Sequence, residues 1–245
     1  MNTNRRNVTS AGLVALLVLV VGTGCLWTSR TGPVKTQSRT IELGGARSVA
    51  VDLRMGAGEL TLAGGVEDGG SLAEATFTYN VDDWLPTVDY VVGGDEGELT
   101  IEQPEVETVR LDSYRYEWDL RLNEDVPMTL DVALGAGKSE IDVSALSITS
   151  VDLEMGVGAV TVDLTGDRRR DVDVRIRGGV GEATVLLPDD VGVRASVSGG
   201  LGDVEANGMQ RDGNSYVNDA YGESEATIAL DIEGGVGGIE LKVVD

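Results

Sequence analysis

The sequence contains no histidine and only one cysteine in its 245 residues. Without histidine, the chain lacks the commonest general base of enzymes and the commonest metal ligand of proteins. A single cysteine permits neither an intramolecular disulfide nor a cluster of thiolate ligands. Aromatic residues make up only 4% of the chain, whereas glycine occurs 34 times. The sequence therefore predicts a thin, aliphatic core with many tight turns.

Positive charge is also scarce, because 42 acidic residues outnumber 19 basic ones and the formal net charge is -23. Such a surface repels phosphate groups, which excludes nucleic acid as a partner bound through a general basic field. Anionic lipid headgroups would be repelled in the same way. The only lysines are Lys35, Lys138 and Lys242. An acidic surface poor in lysine is compatible with a high-salt habitat, where charges are strongly screened, although a GC-rich genome would also explain the preference for arginine.

The N-terminal segment has the anatomy of a signal peptide. Asn4–Asn7 supplies two arginines, Ala11–Val21 is an apolar run, and small residues precede Cys25. This cysteine resembles the lipobox cysteine of prokaryotic lipoproteins, whose thiol receives a diacylglyceryl group and becomes the new N-terminus. We therefore predict a signal peptide over residues 1–24 and a lipid anchor on Cys25. The alternatives are a buried structural cysteine or an uncleaved anchor over Val8–Trp27, which at about 20 residues is long enough to span a bilayer.

Composition divides the rest of the chain into three parts. Residues 25–40 are polar and are predicted to hold the lipidated cysteine and a linker. Residues 41–127 contain most of the aromatic side chains and several alternating runs, so they are predicted to form an N-terminal β module. Residues 128–245 are predicted to form a repeat region, interrupted by a polar insertion at 207–224 that forms a loop or a hairpin.

A Gly-x-Gly motif recurs through the chain, and its second glycine is called the corner glycine below. Apolar residues stand seven and five positions before each corner glycine and four positions after it, with mostly polar residues between them. The copies in the middle of the chain lie about 21 residues apart. The corner glycines are Gly58, Gly137, Gly158, Gly181, Gly202 and Gly237.

A unit of about 21 residues with two short strands cannot bury its apolar face alone. Copies of the unit are therefore predicted to stack as rungs of an all-β, parallel β-solenoid, in which the glycines allow the corners to pack closely.

The ordered series of these segments resembles a known family. The segments that carry the resemblance are Val51–Leu60, Trp118–Leu122, Val126–Pro127, Asp131–Gly137 and Val151–Gly158. Together they resemble the toast-rack family of prokaryotic envelope proteins, which includes relatives of envelope-stress response regulators. The resemblance implies a stack of parallel β rungs, an N-terminal toast-rack module and an extracytoplasmic setting. It implies no catalytic residues.

Aspartate recurs six positions before the corner glycine, at Asp52, Asp131, Asp152 and Asp231. Stacked rungs would place the carboxylates of Asp131 and Asp152 about 5 Å apart, where they repel each other by ~0.8 kcal/mol in water. The row is interpreted as a solvated outer face or as a weak site for Ca²⁺ or Na⁺. No other metal site and no cofactor is predicted.

Two further features have alternative interpretations. Arg168, Arg169 and Arg170 follow one another between two rungs; they form a turn that counters nearby acids, or a clamp for an anionic glycan or a partner peptide. Trp84 and Trp118 pack in the core, or stack on sugars.

These observations predict a non-enzymatic surface lipoprotein that presents a β-solenoid for binding, adhesion or envelope organisation; the resemblance adds stress sensing. Its predicted partners are the cell membrane, through the lipid on Cys25, and an envelope protein or glycan. The alternative is a lyase or hydrolase acting on polysaccharides, although no acidic residue stands in the apolar setting that an acid catalyst requires. Self-assembly is a third possibility, because no obvious cap follows the strand Ile239–Val243.

Overall fold

The computed structural model describes residues 31–66, 69–105, 114–200 and 202–244. The predicted signal peptide and Cys25 lie outside these residues. Strands make up about two thirds of the described residues, and a short 3-10 helix spans Asp82–Trp84. Among the described residues, no helix is long and apolar enough to cross a membrane.

The strands are β1 Lys35–Glu42, β2 Ser48–Val66, β3 Ser71–Tyr79, β4 Thr87–Gly93, β5 Glu96–Glu102, β6 Tyr116–Asn123, β7 Met128–Asp142, β8 Ile148–Asp163, β9 Val172–Pro188, β10 Gly192–Ser198, β11 Val204–Asn207, β12 Gln210–Asp212, β13 Ser215–Val217, β14 Thr227–Glu233 and β15 Ile239–Val244. The first strand begins at Lys35, inside the stretch 25–40 that the sequence predicts as a linker. The last six residues of that stretch are therefore strand, paired antiparallel with β3.

The long strands β2, β7, β8 and β9 are each one complete rung. Each has a first arm before the Gly-x-Gly motif and a second arm after it, and both arms pair in parallel with the neighbouring rung. The corner glycines lie in register from strand to strand, as do the apolar positions around them. This confirms the predicted stack of parallel β rungs.

The order of the last two rungs differs from the order in the sequence. Strands β14 and β15, which contain the C-terminal copy of the repeat, pair with β9 on one side. On their other side they pair with β10 and β11, which form the outermost rung. The insertion at 207–224 supplies the length of chain that passes the outermost rung and returns beside β9. The interpretation of Ile239–Val243 as an uncapped terminal strand is therefore wrong, because β15 lies inside the stack.

The insertion forms a hairpin of β12 and β13 that covers the edge of β10. The Tyr216 ring packs against the core, and the Arg211 guanidinium lies over that ring, 5.9 Å from its centroid. The hairpin thus caps part of the open end of the stack, as terminal segments of repeat proteins commonly do.

At the other end of the stack, the sheet divides and becomes partly antiparallel. The first arm of β2 pairs with β5, which forms a hairpin with β4. The second arm of β2 pairs with β6, followed by β3 and β1. Among the residues that the structure describes, no strand pairs with this side of the β2 corner, between the two branches. There the side chain of Gln103 accepts hydrogen bonds from the backbone amides of Gly56 at 2.7 Å and Ala57 at 3.1 Å.

One hydrophobic core runs through both predicted regions, from Ile41 to Leu241. The apolar positions of the repeat are buried in every rung except the outermost, where Val197 and Ala206 are half-buried. Aromatic rings enlarge the core at the β1 end, and Trp118 there meets Phe77 edge to face at 5.7 Å. Trp84 and Trp118 are 4% and 1% exposed, respectively, so both pack in the core and neither is available to stack on a sugar.

The corner glycines form a column through the stack. Five of them have φ between 144° and 153°, a region that residues with a side chain rarely adopt. A Cβ atom on Gly158 would overlap the carbonyl oxygen of Gly137, and a Cβ on Gly181 would overlap that of Gly158. Both the backbone conformation and the close stacking therefore require glycine.

Candidate binding surface

The outer side of the first arms carries the predicted aspartate row. In-register pairing places Asp52, Asp131 and Asp152 side by side on β2, β7 and β8. The row continues with Arg175 on β9 and Asp231 on β14. We call this outer surface of the first arms the charged face. The structure thus brings together the two predicted cation candidates, Asp131 and Asp152, and places an arginine next to them.

Arginines neutralise the aspartates on both sides of Asp131. Arg54 donates two hydrogen bonds to Asp52, at 3.0 and 2.7 Å. On the other side, Asp152 accepts hydrogen bonds from Arg175 at 3.3 Å and Arg177 at 3.0 Å. Among the residues that the structure describes, Asp131 is the member of this acidic trio without an ion-pair partner.

This arrangement raises the pKa of the Asp131 carboxyl above its usual value. Partial burial is the main cause, and the negative charges of Asp52, Asp152 and Glu154 add to it. Arg54 acts in the opposite direction. The carboxylate nevertheless lies on an open sheet face rather than in a cleft, so it lacks the apolar enclosure that holds an acid catalyst protonated.

Substitution of Asp131 by asparagine is expected to stabilise the fold by about 0.5 kcal/mol near neutral pH, because it removes a charge that its neighbours repel. Since the pKa of Asp131 is raised in the folded state, the contribution of this group to stability is most favourable below the usual value of 3.8 and is lost as the pH rises through the raised pKa. Urea unfolding at neutral and acidic pH measures both effects. The gap between variant and wild type should narrow in acid; a variant that is less stable than wild type at neutral pH would contradict this account.

The structure offers few ligands for a metal ion. Within the described residues, no three acidic, histidine or cysteine side chains form a group that could hold one. Weak cation binding at Asp131 and Asp152 stays a prediction.

The predicted arginine cluster is divided between two environments. Arg168 donates hydrogen bonds to the backbone carbonyls of Leu146 and Val143, both at 2.7 Å, and of Thr165 at 3.1 Å. Burial lowers the pKa of this guanidinium, and the charges of Asp163 and Asp142 oppose the shift.

Arg168 therefore joins the turn that follows β7 to the turn that follows β8, and its donors stabilise the fold. Arg169 and Arg170 are exposed, and contact with a partner stays a prediction for these two residues. Sequence reasoning missed the structural role of Arg168, because adjacent arginines give no signal of which one turns inward.

Comparison with known proteins gives a family and a close structural neighbour. A family model described as the N-terminal domain of toast_rack, DUF2154, matches residues 30–186. The crystal structure of a candidate cell adhesion protein from Clostridium sporogenes ATCC 15579 is 37% identical with a TM-score of 0.83, and the match covers 86% of this chain and 100% of that one.

Another solved structure resembles this chain only weakly. The structure of a candidate adhesin from Bacteroides fragilis NCTC 9343 matches over 87% of this chain and 99% of that one, at 11% identity and a TM-score of 0.34, which is too low to support an argument. No curated protein matches the chain.

Proposed function

Because the chain belongs to the toast-rack family, we propose that it is a non-enzymatic binding scaffold of the adhesion type, held at the cell surface by a lipid on Cys25. The description of the clostridial structure as a candidate cell adhesion protein supports the binding role. The signal-peptide anatomy before Cys25 supports the surface location and the lipid anchor.

The charged face carries the proposal. Its side chains project from five in-register rungs, from β2 to β14, so they form regular rows about 4.8 Å apart. The backbone ladder holds these rows in place before any partner arrives, and a preorganised surface loses little conformational entropy on binding. A flat, ordered array of this kind suits contact with an extended glycan or with another protein.

The chain enters the fold at the end of the stack that lies opposite the outermost rung. The backbone amide of Gly32 donates a hydrogen bond to the carbonyl of Asn80 at 2.6 Å, just before β1 begins. A tether attached there would leave the later rungs and the charged face free to meet a partner.

The proposal can be tested with bacterial cells that produce the full chain, by measuring their adhesion to purified envelope glycans and envelope proteins fixed to a surface. Cells with the wild-type chain should adhere, and cells with Cys25→Ala should adhere at least about tenfold less, because the chain is no longer lipid-anchored. The double variant Asp131→Lys, Asp152→Lys should remain anchored but also lose adhesion, because its charge pattern is reversed.

The matched control is Glu140→Lys with Glu205→Lys, which makes the same change of charge on exposed positions of second arms. This control should adhere like wild type. Equal adhesion of the charged-face variant and the control would refute the assignment of the face. Release of reducing sugars from the glycans would favour the enzyme alternative, and an unmodified Cys25 within an intact N-terminus would exclude the lipid anchor.

A further inference from the structure

One repeat position beside the corner changes from a large apolar residue to glycine midway through the stack. Three positions before the corner glycine, the first three rungs carry Met55, Leu134 and Met155, whereas the other three carry glycine, at Gly178, Gly199 and Gly234. Leu134, Met155 and Gly178 are register partners on successive rungs. Met55 and Met155 are buried, so this position points into the core, and the later rungs lack the side chain that would fill it.

A cavity of about 40 Å³ lies where these side chains are missing. It is partly enclosed, and its wall combines the glycine backbone of the later corners with aliphatic side chains. The aliphatic lining residues that are buried or half-buried are Met155, Val160, Ile176, Ala183, Ile232 and Ile239. A signal for this cavity is present in the sequence, as the change from methionine or leucine to glycine at one repeat position.

Neither the backbone conformation nor close packing requires a glycine at Gly178. A Cβ atom there would meet no heavy atom within 4 Å, and Gly178 is not among the glycines with positive φ. A larger side chain is therefore compatible with the local structure, in contrast to the corner glycines.

The rim of the cavity is apolar with two acidic groups. Val180 and Val236 stand at the tips of neighbouring corners and are 50% and 51% exposed, so the solvent side of the cavity is lined in part by apolar side chains. Glu182 and Asp203 are the ionisable residues among those that line the cavity, and both are exposed, so they lie on its solvent side. An occupant must therefore be aliphatic inside the cavity and neutral or basic at its mouth.

We propose that this cavity receives one short aliphatic side chain, flanked by basic residues, of a protein partner. The volume favours this occupant, since a cavity that holds benzene measures about 150 Å³, and an aromatic ring or a long acyl chain needs more room than is available. The charge also favours it, because the two rim carboxylates and the net charge of -23 attract a basic segment. The inference rests on the proposed binding function and states what the partner must offer.

The test uses the full chain in phosphatidylcholine nanodiscs, with ¹³C-labelled isoleucine methyl groups. The probe is the peptide acetyl-Lys-Val-Lys-amide. Saturable shifts are expected at the methyls of Ile176, Ile232 and Ile239, which line the cavity. Exchange of valine for glycine in the peptide should abolish the shifts, and exchange of both lysines for glutamate should weaken binding at least about tenfold.

Gly178→Leu fills the cavity and should weaken peptide binding at least about tenfold. The matched control is Gly93→Leu, on β4, where a Cβ also meets no heavy atom within 4 Å; it should bind the peptide like wild type. Absence of shifts in wild type, or equal binding by the Gly178 variant, would overturn the proposal. If dodecyltrimethylammonium shifts these methyl signals and the peptide does not, the cavity binds alkyl chains, and this result would also overturn the proposal.

The adhesion assay separates the two proposals. If the peptide fails to bind while wild-type cells still adhere through the charged face, the cavity has no role and the proposed function stands. If wild-type cells do not adhere, the proposed function fails whatever the peptide does.

Discussion

Replacement of Gly158 by alanine is expected to lower the free energy of unfolding by at least about 4 kcal/mol, which is enough to prevent folding in a protein of ordinary stability. Two effects combine. The φ of Gly158 is 147°, a conformation in which a residue with a side chain is strained. The new Cβ would also overlap the carbonyl oxygen of Gly137.

The neighbouring rungs cannot relieve this overlap. The atom in the way belongs to the backbone of Gly137, which is held in register between its own neighbours β2 and β8. A shift of one rung therefore disturbs the next, and the cost spreads along the stack. Substitution at Gly137 should have a comparable effect for the same reason.

Circular dichroism and urea unfolding of the purified protein measure this result. The matched control is Gly178→Ala, where the added Cβ meets no heavy atom within 4 Å and the change should leave stability within about 1 kcal/mol of wild type. If the Gly158 variant unfolds at the same urea concentration as this control, the column of glycines is not required by stacking.

Replacement of Arg168 by alanine is expected to lower the free energy of unfolding by about 3 kcal/mol. The substitution leaves three backbone carbonyls, those of Val143, Leu146 and Thr165, without the donors they have in wild type. It also removes the link between two successive turns. Lysine cannot reproduce this effect, because its single ammonium does not match the planar fork that reaches several carbonyls at once.

The matched control for Arg168 is Arg169→Ala, which removes the same charge from an exposed position. The control should change stability by less than about 0.5 kcal/mol. Thermal unfolding followed in parallel with the adhesion assay separates the two roles considered for this cluster. A partner contact at Arg168 would appear as lost adhesion at unchanged stability, an outcome that would refute the structural role.

The repeat itself could be predicted from the sequence because the rungs of a solenoid repeat the same pattern of apolar and polar residues. Alternation places Val51 and Leu53 on the inner side and Asp52 on the outer side of a strand, and the same alternation returns in each copy. In-register stacking then follows for the core and for the aspartate row. The prediction of Asp131 next to Asp152 needed no further information than the distance between the copies.

The sequence pattern could not identify Arg168 as a structural residue or Gln103 as the hydrogen-bond acceptor for two corner amides of β2. Both roles depend on backbone carbonyls or amides that come close only after the rungs have stacked. The sequence analysis also missed the cavity, although the change to glycine at one repeat position is visible in the sequence. Only the structure shows that close stacking requires glycine at Gly181 and not at Gly178.

The sequence by itself determined that this protein is a stack of aliphatic β rungs with glycine corners and an acidic surface, since burial and strand alternation act locally in each copy. Only the tertiary structure decided the order of the rungs, the position of β15 inside the stack and the cap formed by β12 and β13. The physical reason is that copies with the same pattern present similar edges, so a rung can pair with more than one neighbour. Its place is then chosen by the length of the connecting chain and by the contacts of the whole stack.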